Sequence, residues 1–386
     1  MRSVVIRWIS RLGTLALFLA GVEAMARLDD YIHLGVPFLA SPDNEHDLKL
    51  RESWGFRGRP HGLFRKWKLN EFGFRGPETT RQPAEGATRV LVLGASETFG
   101  LMESNNHEYP AQLQKVMQQE GKYDVINGGM TSLTAAGMLA YWDQWLTRFQ
   151  PQIVVIYASP VFYLRDAAPE PLPVLTQTEL ASQSAQFQFR TIDRVSSLYR
   201  NLPSWIRAIR RDLQLRRQVA AHDNTWFFTT APKDRLEKYR TDVAELVRRI
   251  RNDGAVPILV THAISAASPP RSEDLAHLCD MRADFCRPTI ETMTRFEKRA
   301  NQTLRDLARD EGVPLIDVDA VLTGRRDLFG DLVHFNDLGA ARMAELLAAG
   351  ITRELTAQSP PTMTKSSASA PDVTEPASST PRLPAL

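Results

Sequence analysis

The sequence predicts an α/β protein, a three-layer α/β/α sandwich on a mainly parallel sheet, with a helical insertion. Three observations predict it. Short apolar runs alternate with helix-length amphipathic stretches five times between residues 89 and 317. The runs are continuously apolar, as strands covered on both faces are. The composition, 43% hydrophobic and 24% charged, is that of a globular chain rather than a disordered or multi-span one.

The first strand reads Arg89-Val90-Leu91-Val92-Leu93-Gly94 and stops at glycine, and residues 109–120 follow as a helix with Leu113, Val116 and Met117 on one face. A strand at 123–127, a helix at 133–149 and a buried strand at 152–157 continue the pattern. After an insertion at about 164–233 it resumes with a helix at 235–252, a strand at 256–260, a helix at 295–311 and a last strand at 314–317, before a helix from 337 to 347. These elements place one domain at 87–355. Within the insertion, Trp205, Ile209 and Leu213 follow helical spacing, which favours packing into a core; a basic amphipathic helix resting on an anionic membrane or polysaccharide is the alternative.

Residues 1–27 read as an export signal or membrane anchor: Arg2, Arg7 and Arg11 precede an uncharged run from 12 to 22. Ala24-Met25-Ala26 fits signal cleavage, whereas counting from Val4 with snorkelling arginines gives an uncleaved anchor. Either way the domain lies outside the cytoplasm, in the periplasm or at the inner membrane facing it. Residues 28–86 form an irregular, β-rich lead-in with Gly-Phe-Arg-Gly twice, at 55–58 and 73–76. Residues 356–386, dominated by Pro, Ser, Thr and Ala, read as a disordered tail. With 47 basic against 45 acidic residues, a formal charge of +2, the chain has no field suited to nucleic acid. Cys279 and Cys286 form a local disulfide or stay as two thiols; the sequence leaves both open.

In an open α/β sheet ligands bind at the carboxyl ends of the strands, so the loop after the first strand, Gly94-Ala95-Ser96-Glu97-Thr98-Phe99-Gly100, is the first place to seek a reacting group. Ser96 is the candidate nucleophile. Its partners come from the far end of the chain, in Asp331-Leu332-Val333-His334: an acid three residues before a histidine can bond Nδ1 and leave Nε2 to take a serine proton. Against this, Asp331 reads as a capping acid and His334 as a surface histidine before the next helix, which Asn336 and Asp337 are equally able to cap. His107 and His262 also fall near strand ends, and for both a structural role is the plainer reading. No phosphate-loop, dinucleotide or metal-ligand pattern is present, so the chemistry needs no cofactor and no metal.

Gly-x-Ser-x-Thr-x-Gly after the first strand and Asp-x-x-His near the end resemble the first and last blocks of the SGNH/GDSL hydrolases, over about residues 70–350. Asp124-Val125-Ile126-Asn127-Gly128-Gly129 is similar to the second block, and the lead-in at 70–78 resembles segments preceding this domain in exported bacterial members. The resemblance implies a flavodoxin-like sheet and a serine esterase or acyltransferase, with Ser96 as nucleophile, His334 as base, Asp331 as its orienter, and the N–H groups of Ser96 and Gly129 as oxyanion donors. Combined with export, it implies O-acyl esters of cell-envelope or extracellular carbohydrate as substrates and contact with the inner membrane through the N-terminus. Two departures stand out. Ala95 replaces the usual Asp, and the third-block asparagine falls near Val161 in Tyr157-Ala158-Ser159-Pro160-Val161, leaving Ser159 as an alternative donor. The competing expectation is a catalytically degenerate glycan-binding module on the same fold.

Overall fold

The computed structural model describes residues 2–34, 38, 48–64, 66–165, 190–191, 204–285 and 287–358. Helix α1 (Arg2–Leu34) contains a window, Arg7–Asp29, long and apolar enough to cross a membrane. Trp8, Leu12, Leu15, Phe18 and Leu19 are all exposed along it, an apolar surface on several sides. Near its end Glu23 and Arg27 are buried; Arg27 Nε donates to Glu23 Oε1 (2.8 Å), and Glu23 also accepts the backbone N–H groups of Arg190 and Thr191 from the insertion.

The lead-in forms two small antiparallel hairpins, β1 (Lys49–Glu52) with β2 (Gly55–Gly58) and β3 (Leu63–Phe64) with β4 (Trp67–Lys68). Its two Gly-Phe-Arg-Gly copies serve packing. Arg57 lies 4.1 Å over the Trp145 ring, and Arg75 reaches the carbonyl of Phe99 (2.9 Å).

The main domain opens with β5 (Thr88–Gly94), followed by α2 (Ser96–Phe99), α3 (Tyr109–Glu120), β6 (Tyr123–Asn127), α4 (Ala135–Gln144) and β7 (Ile153–Tyr157). It continues through α5 (Ser204–Ala221), α6 (Lys233–Asn252), β8 (Val256–Val260), α7 (Leu275–Phe285), α8 (Ile290–Glu311), β9 (Leu315–Ile316), α9 (Asp319–Leu322) and α10 (Asp337–Gln358). The five long-range strands pair in parallel in the order β6-β5-β7-β8-β9. Alternate side chains feed two cores: Leu91, Leu93, Val154 and Ile156 pack with α4, α6 and α8, while Val90, Val92, Val155 and Val260 pack with α3 and α10. This is the expected three-layer sandwich, and its strand order reverses beside β5 and β7, where such sheets open a crevice.

Capping sets several boundaries. Thr289 Oγ1 accepts the Thr292 N–H, starting α8 five residues before the apolar periodicity suggests it, and Thr134 caps α4 on Gly137. Arg89, fully buried at the foot of β5, pairs with Asp124 (2.8 Å) and donates to the carbonyls of Thr80, Arg81, Gln82 and Phe149. One side chain thereby ties the lead-in to the sheet.

The insertion corrects one expectation. Helix α5 forms, but Ile209 and Leu213 are each 53% exposed rather than packed in a core. Arg211, on the face toward α7, pairs instead with Asp280. The Trp205 side chain, Cys286 with any bond to Cys279, most of 166–203 and the tail beyond Gln358 lie outside the described residues. Helix α10 continues past 355, where the domain was expected to end.

Candidate active site

The sharp turn after β5 depends on Gly94. A Cβ there would lie 1.9 Å from Thr98 Oγ1 and 2.9 Å from the Tyr157 carbonyl, so no side chain fits and the chain folds straight back into α2. Ser96 is the first residue of that helix, at the carboxyl end of the sheet. Its first-turn N–H groups have no acceptor within the helix.

The second half of the site is a tight loop after α9. Phe329 and Phe335 form an isolated antiparallel bridge, and the Gly330 N–H donates to the His334 carbonyl (2.8 Å). Inside the loop Asp331 Oδ1 accepts the N–H groups of Val333 (3.0 Å) and His334 (2.9 Å). His334 Nδ1 lies 2.7 Å from Asp331 Oδ2, and Nε2 lies 2.9 Å from Ser96 Oγ. An ionised carboxylate only accepts, so Nδ1 carries the proton and the Nε2 lone pair of neutral His334 faces the serine hydroxyl. The structure therefore brings Ser96, His334 and Asp331 into one hydrogen-bonded line. The cap of α10 is Asn336, whose Oδ1 accepts the Gly339 N–H, so Asp331 is not needed for it.

Electrostatics reinforce this geometry. Burial favours neutral His334, but the charge and hydrogen bond of Asp331, with Glu97 and Glu103 behind, raise it to about 8. Burial would raise Asp331, yet the His334 charge and the bonds from His334 and Val333 hold it below its ordinary value. Glu103 is different. Desolvation pushes it up to about 8, against the pull of Arg75 and His334. Its Oε2 accepts the Met102 N–H, and Oε1 has no hydrogen-bond partner among the described residues.

Gly129 sits where the second block places it, with the backbone of Thr98 and Phe99 too close for any side chain. Its N–H donates to Asn127 Oδ1 (3.0 Å), so it is not a free oxyanion donor in this structure. Among the buried polar atoms without a hydrogen-bond partner in the described residues are Asn127 Nδ2 at the end of β6 and Ser159 Oγ just after β7. These strands flank β5. Val161 is buried in a mainly apolar pocket with Leu164, Ile264, Leu332 and Val333, which Thr294 and Glu297 also line, and its side chain supplies no donor. His107 stays exposed and bonds locally to the Asn105 carbonyl.

Sequence reasoning left out the acids around His262. Fully buried, His262 has Glu97 Oε1 at 3.3 Å from Nε2 and Glu297 Oε1 at 2.5 Å from Nδ1. Glu97 Oε2 in turn lies 3.3 Å from Ser96 Oγ. The signal was present: Glu297 and Asn301 interrupt the buried face of α8 that Met293, Phe296, Ala300 and Leu304 otherwise make apolar.

No family model and no curated protein matches this chain. Among solved structures it is similar to a psychrotrophic esterase from a Pseudoalteromonas species inhibited by monoethylphosphonate (TM-score 0.40, 14% identity, 70% of this chain and 99% of that one). It is also similar to a lipase/acylhydrolase from Enterococcus faecalis (0.40, 16%, 70% and 96%) and a GDSL-like lipase from Bacteroides thetaiotaomicron (0.36, 12%, 72% and 91%). Likeness at this level assigns neither activity nor substrate to this chain.

Proposed function

We propose that this chain is an SGNH-type serine ester hydrolase, and the observation that carries the reading is the line Asp331–His334–Ser96 with its 2.7 and 2.9 Å contacts. His334 takes the Ser96 proton as Oγ attacks an ester carbonyl. Asp331 holds the ring and balances the imidazolium that forms. The protonated ring then returns its proton to the departing alkoxide, leaving an acyl-serine. In the second half His334 activates water, or a sugar hydroxyl when the reaction is acyl transfer, and the acyl group leaves Ser96.

The oxyanion needs donors at the carboxyl ends of β5, β6 and β7. The Ser96 N–H is one, and Gly129 N–H joins it once Asn127 Oδ1 releases it. The unpartnered Asn127 amide and Ser159 hydroxyl are further donors on the flanking strands, supporting an enzyme over a degenerate binding module even though Val161 supplies none.

The membrane-length α1 with arginines at its start supports an anchor or export signal that places the domain on the periplasmic side. There, O-acyl esters of envelope or extracellular carbohydrate are the substrates this reading favours. The test is hydrolysis of p-nitrophenyl acetate by the full chain in detergent, wild type beside Ser96→Ala. Turnover lost in the variant supports the reading; equal turnover in both ends it.

A further inference from the structure

Ser96 Oγ touches two acceptors. His334 Nε2 is at 2.9 Å, and Glu97 Oε2 is at 3.3 Å on the other side. Beyond Glu97 the line continues through His262 to Glu297, giving one chain of contacts: Asp331, His334, Ser96, Glu97, His262, Glu297. Every member except Ser96 is titratable, and both neighbours of the His262 ring are carboxylates. Two carboxyl groups face the two ring nitrogens, an arrangement that favours an imidazolium donating to both, and against the cost of burial their charges raise His262 to about 10. It is fixed in place as well as charged. Asn301 accepts the His262 N–H and donates to its carbonyl, both at 2.7 Å, and the Tyr157 ring stacks on the imidazole at 5.1 Å.

We propose that Glu97, locked by the His262–Glu297 pair, is a positioning residue that holds the Ser96 hydroxyl and stabilises the His334 imidazolium formed as the serine attacks. The proposal rests on the esterase reading and adds a second acid to the base. When His334 is protonated, Nε2–H donates to Ser96 Oγ and the Ser96 hydroxyl donates to Glu97. When His334 is neutral, the hydroxyl turns to Nε2, the nearer acceptor, and its proton moves there during attack. Glu97 then faces the imidazolium charge across Ser96 Oγ. A lone buried carboxylate beside the nucleophile would also oppose a developing oxyanion, and the His262 imidazolium offsets that charge. The groups facing His334 are Asp331 from its own loop, Glu97 from α2 and Glu103 from the loop after it. Burial disfavours a charged His262, but Glu297 and Glu97 outweigh it and raise it to about 10, while its charge and hydrogen bond and the His334 charge hold Glu97 below its ordinary value despite burial.

The experiment is an NMR titration of the histidine rings in the full chain in detergent, for wild type, Glu97→Gln and Glu97→Asp, with kcat/KM measured over the same pH range. In Glu97→Gln the His334 titration moves down from about 8 by roughly half a unit or more, the ascending limb of kcat/KM follows it, and the alkaline plateau of kcat falls on the order of tenfold with KM little changed. Glu97→Asp keeps the charge and restores the limb. An unchanged His334 titration in Glu97→Gln overturns the proposal, and because it is read from the ring it does so even if the chain hydrolyses no ester. Should Glu97→Gln not fold, wild type alone decides: His262 shows protons on both ring nitrogens at pH 8, whereas a single neutral tautomer there overturns the proposal.

Discussion

Replacing Glu103 by Gln removes a buried carboxyl that must ionise in the folded chain at high pH. Burial raises that carboxyl from 4.5 to about 8, which makes its ionisation costlier by about 5 kcal/mol in the folded than in the unfolded chain. The sign follows from proton binding. The folded state holds this proton more tightly, so the contribution to stability is complete below pH 4.5 and is lost as pH rises from there through 8. His334 and His262, raised to about 8 and about 10, act in the same direction at higher pH, so wild type weakens on the alkaline side. The amide introduced in place of the carboxyl still accepts the Met102 N–H and carries no charge. Glu103→Gln should therefore gain at least about 2 kcal/mol over wild type between pH 5 and pH 9, the part of the ceiling that survives local relaxation. The assay is urea unfolding followed by tryptophan fluorescence at both pH values, for both proteins in one detergent. Comparing the two proteins cancels the His262 titration, and the part of the His334 shift that Glu103 itself causes disappears with the carboxyl, which adds to the gain on the alkaline side. An identical stability difference at pH 5 and pH 9 would refute the placement of Glu103 in a desolvated site.

Other predictions concern the reaction and the frame. The free-enzyme kcat/KM should rise with pH around an apparent value near 8, set by His334, and Asp331→Asn should lower that limb and cut kcat on the order of 10²–10⁴; a profile flat from pH 6 to 9 contradicts the base assignment. Ser159→Ala should lower turnover on an activated ester by roughly tenfold or more, and Val161→Asn should reduce stability because it buries an amide among Leu164, Leu332 and Val333; a faster Val161→Asn enzyme with an unaffected Ser159→Ala would reverse the donor assignment. Arg89→Ala should destabilise the fold by about 2 kcal/mol or more in a thermal melt, since it leaves the carbonyls of Thr80, Arg81 and Phe149 without their donor while Asp124 keeps partial access to water; a melt within a degree of wild type would show the Arg89 network to be dispensable.

The fold was legible because its strands are continuous apolar runs and its covering helices show one apolar face. The tight Asp331-to-His334 spacing made that pair legible within a single loop. Its approach to Ser96, over two hundred residues away in the chain, had no local signal and rested on the family pattern. What escaped reading depends on groups that meet only in three dimensions. Glu97 has no role of its own in the sequence pattern, and only the sheet brings His262 and Glu297 behind it. Gly129 matched its block, yet the side chain of Asn127 two residues earlier occupies its N–H. Helix α5 has core-like spacing, but the body it packs on presents Asp280, so Arg211 faces inward and Ile209 and Leu213 face out. Helix α8 began earlier than its periodicity implied because the Thr289 cap, not the apolar pattern, sets its start.

Active-site labelling tests the central claim most directly. The folded full chain is treated with a fluorophosphonate, digested and mapped by mass spectrometry, for wild type, Ser96→Ala and His334→Ala. The account predicts one adduct on Ser96 in wild type, none in Ser96→Ala, and labelling slowed by at least about a hundredfold in His334→Ala, because the hydroxyl loses its base. An adduct on another residue, or labelling of Ser96 at the wild-type rate without His334, would contradict it.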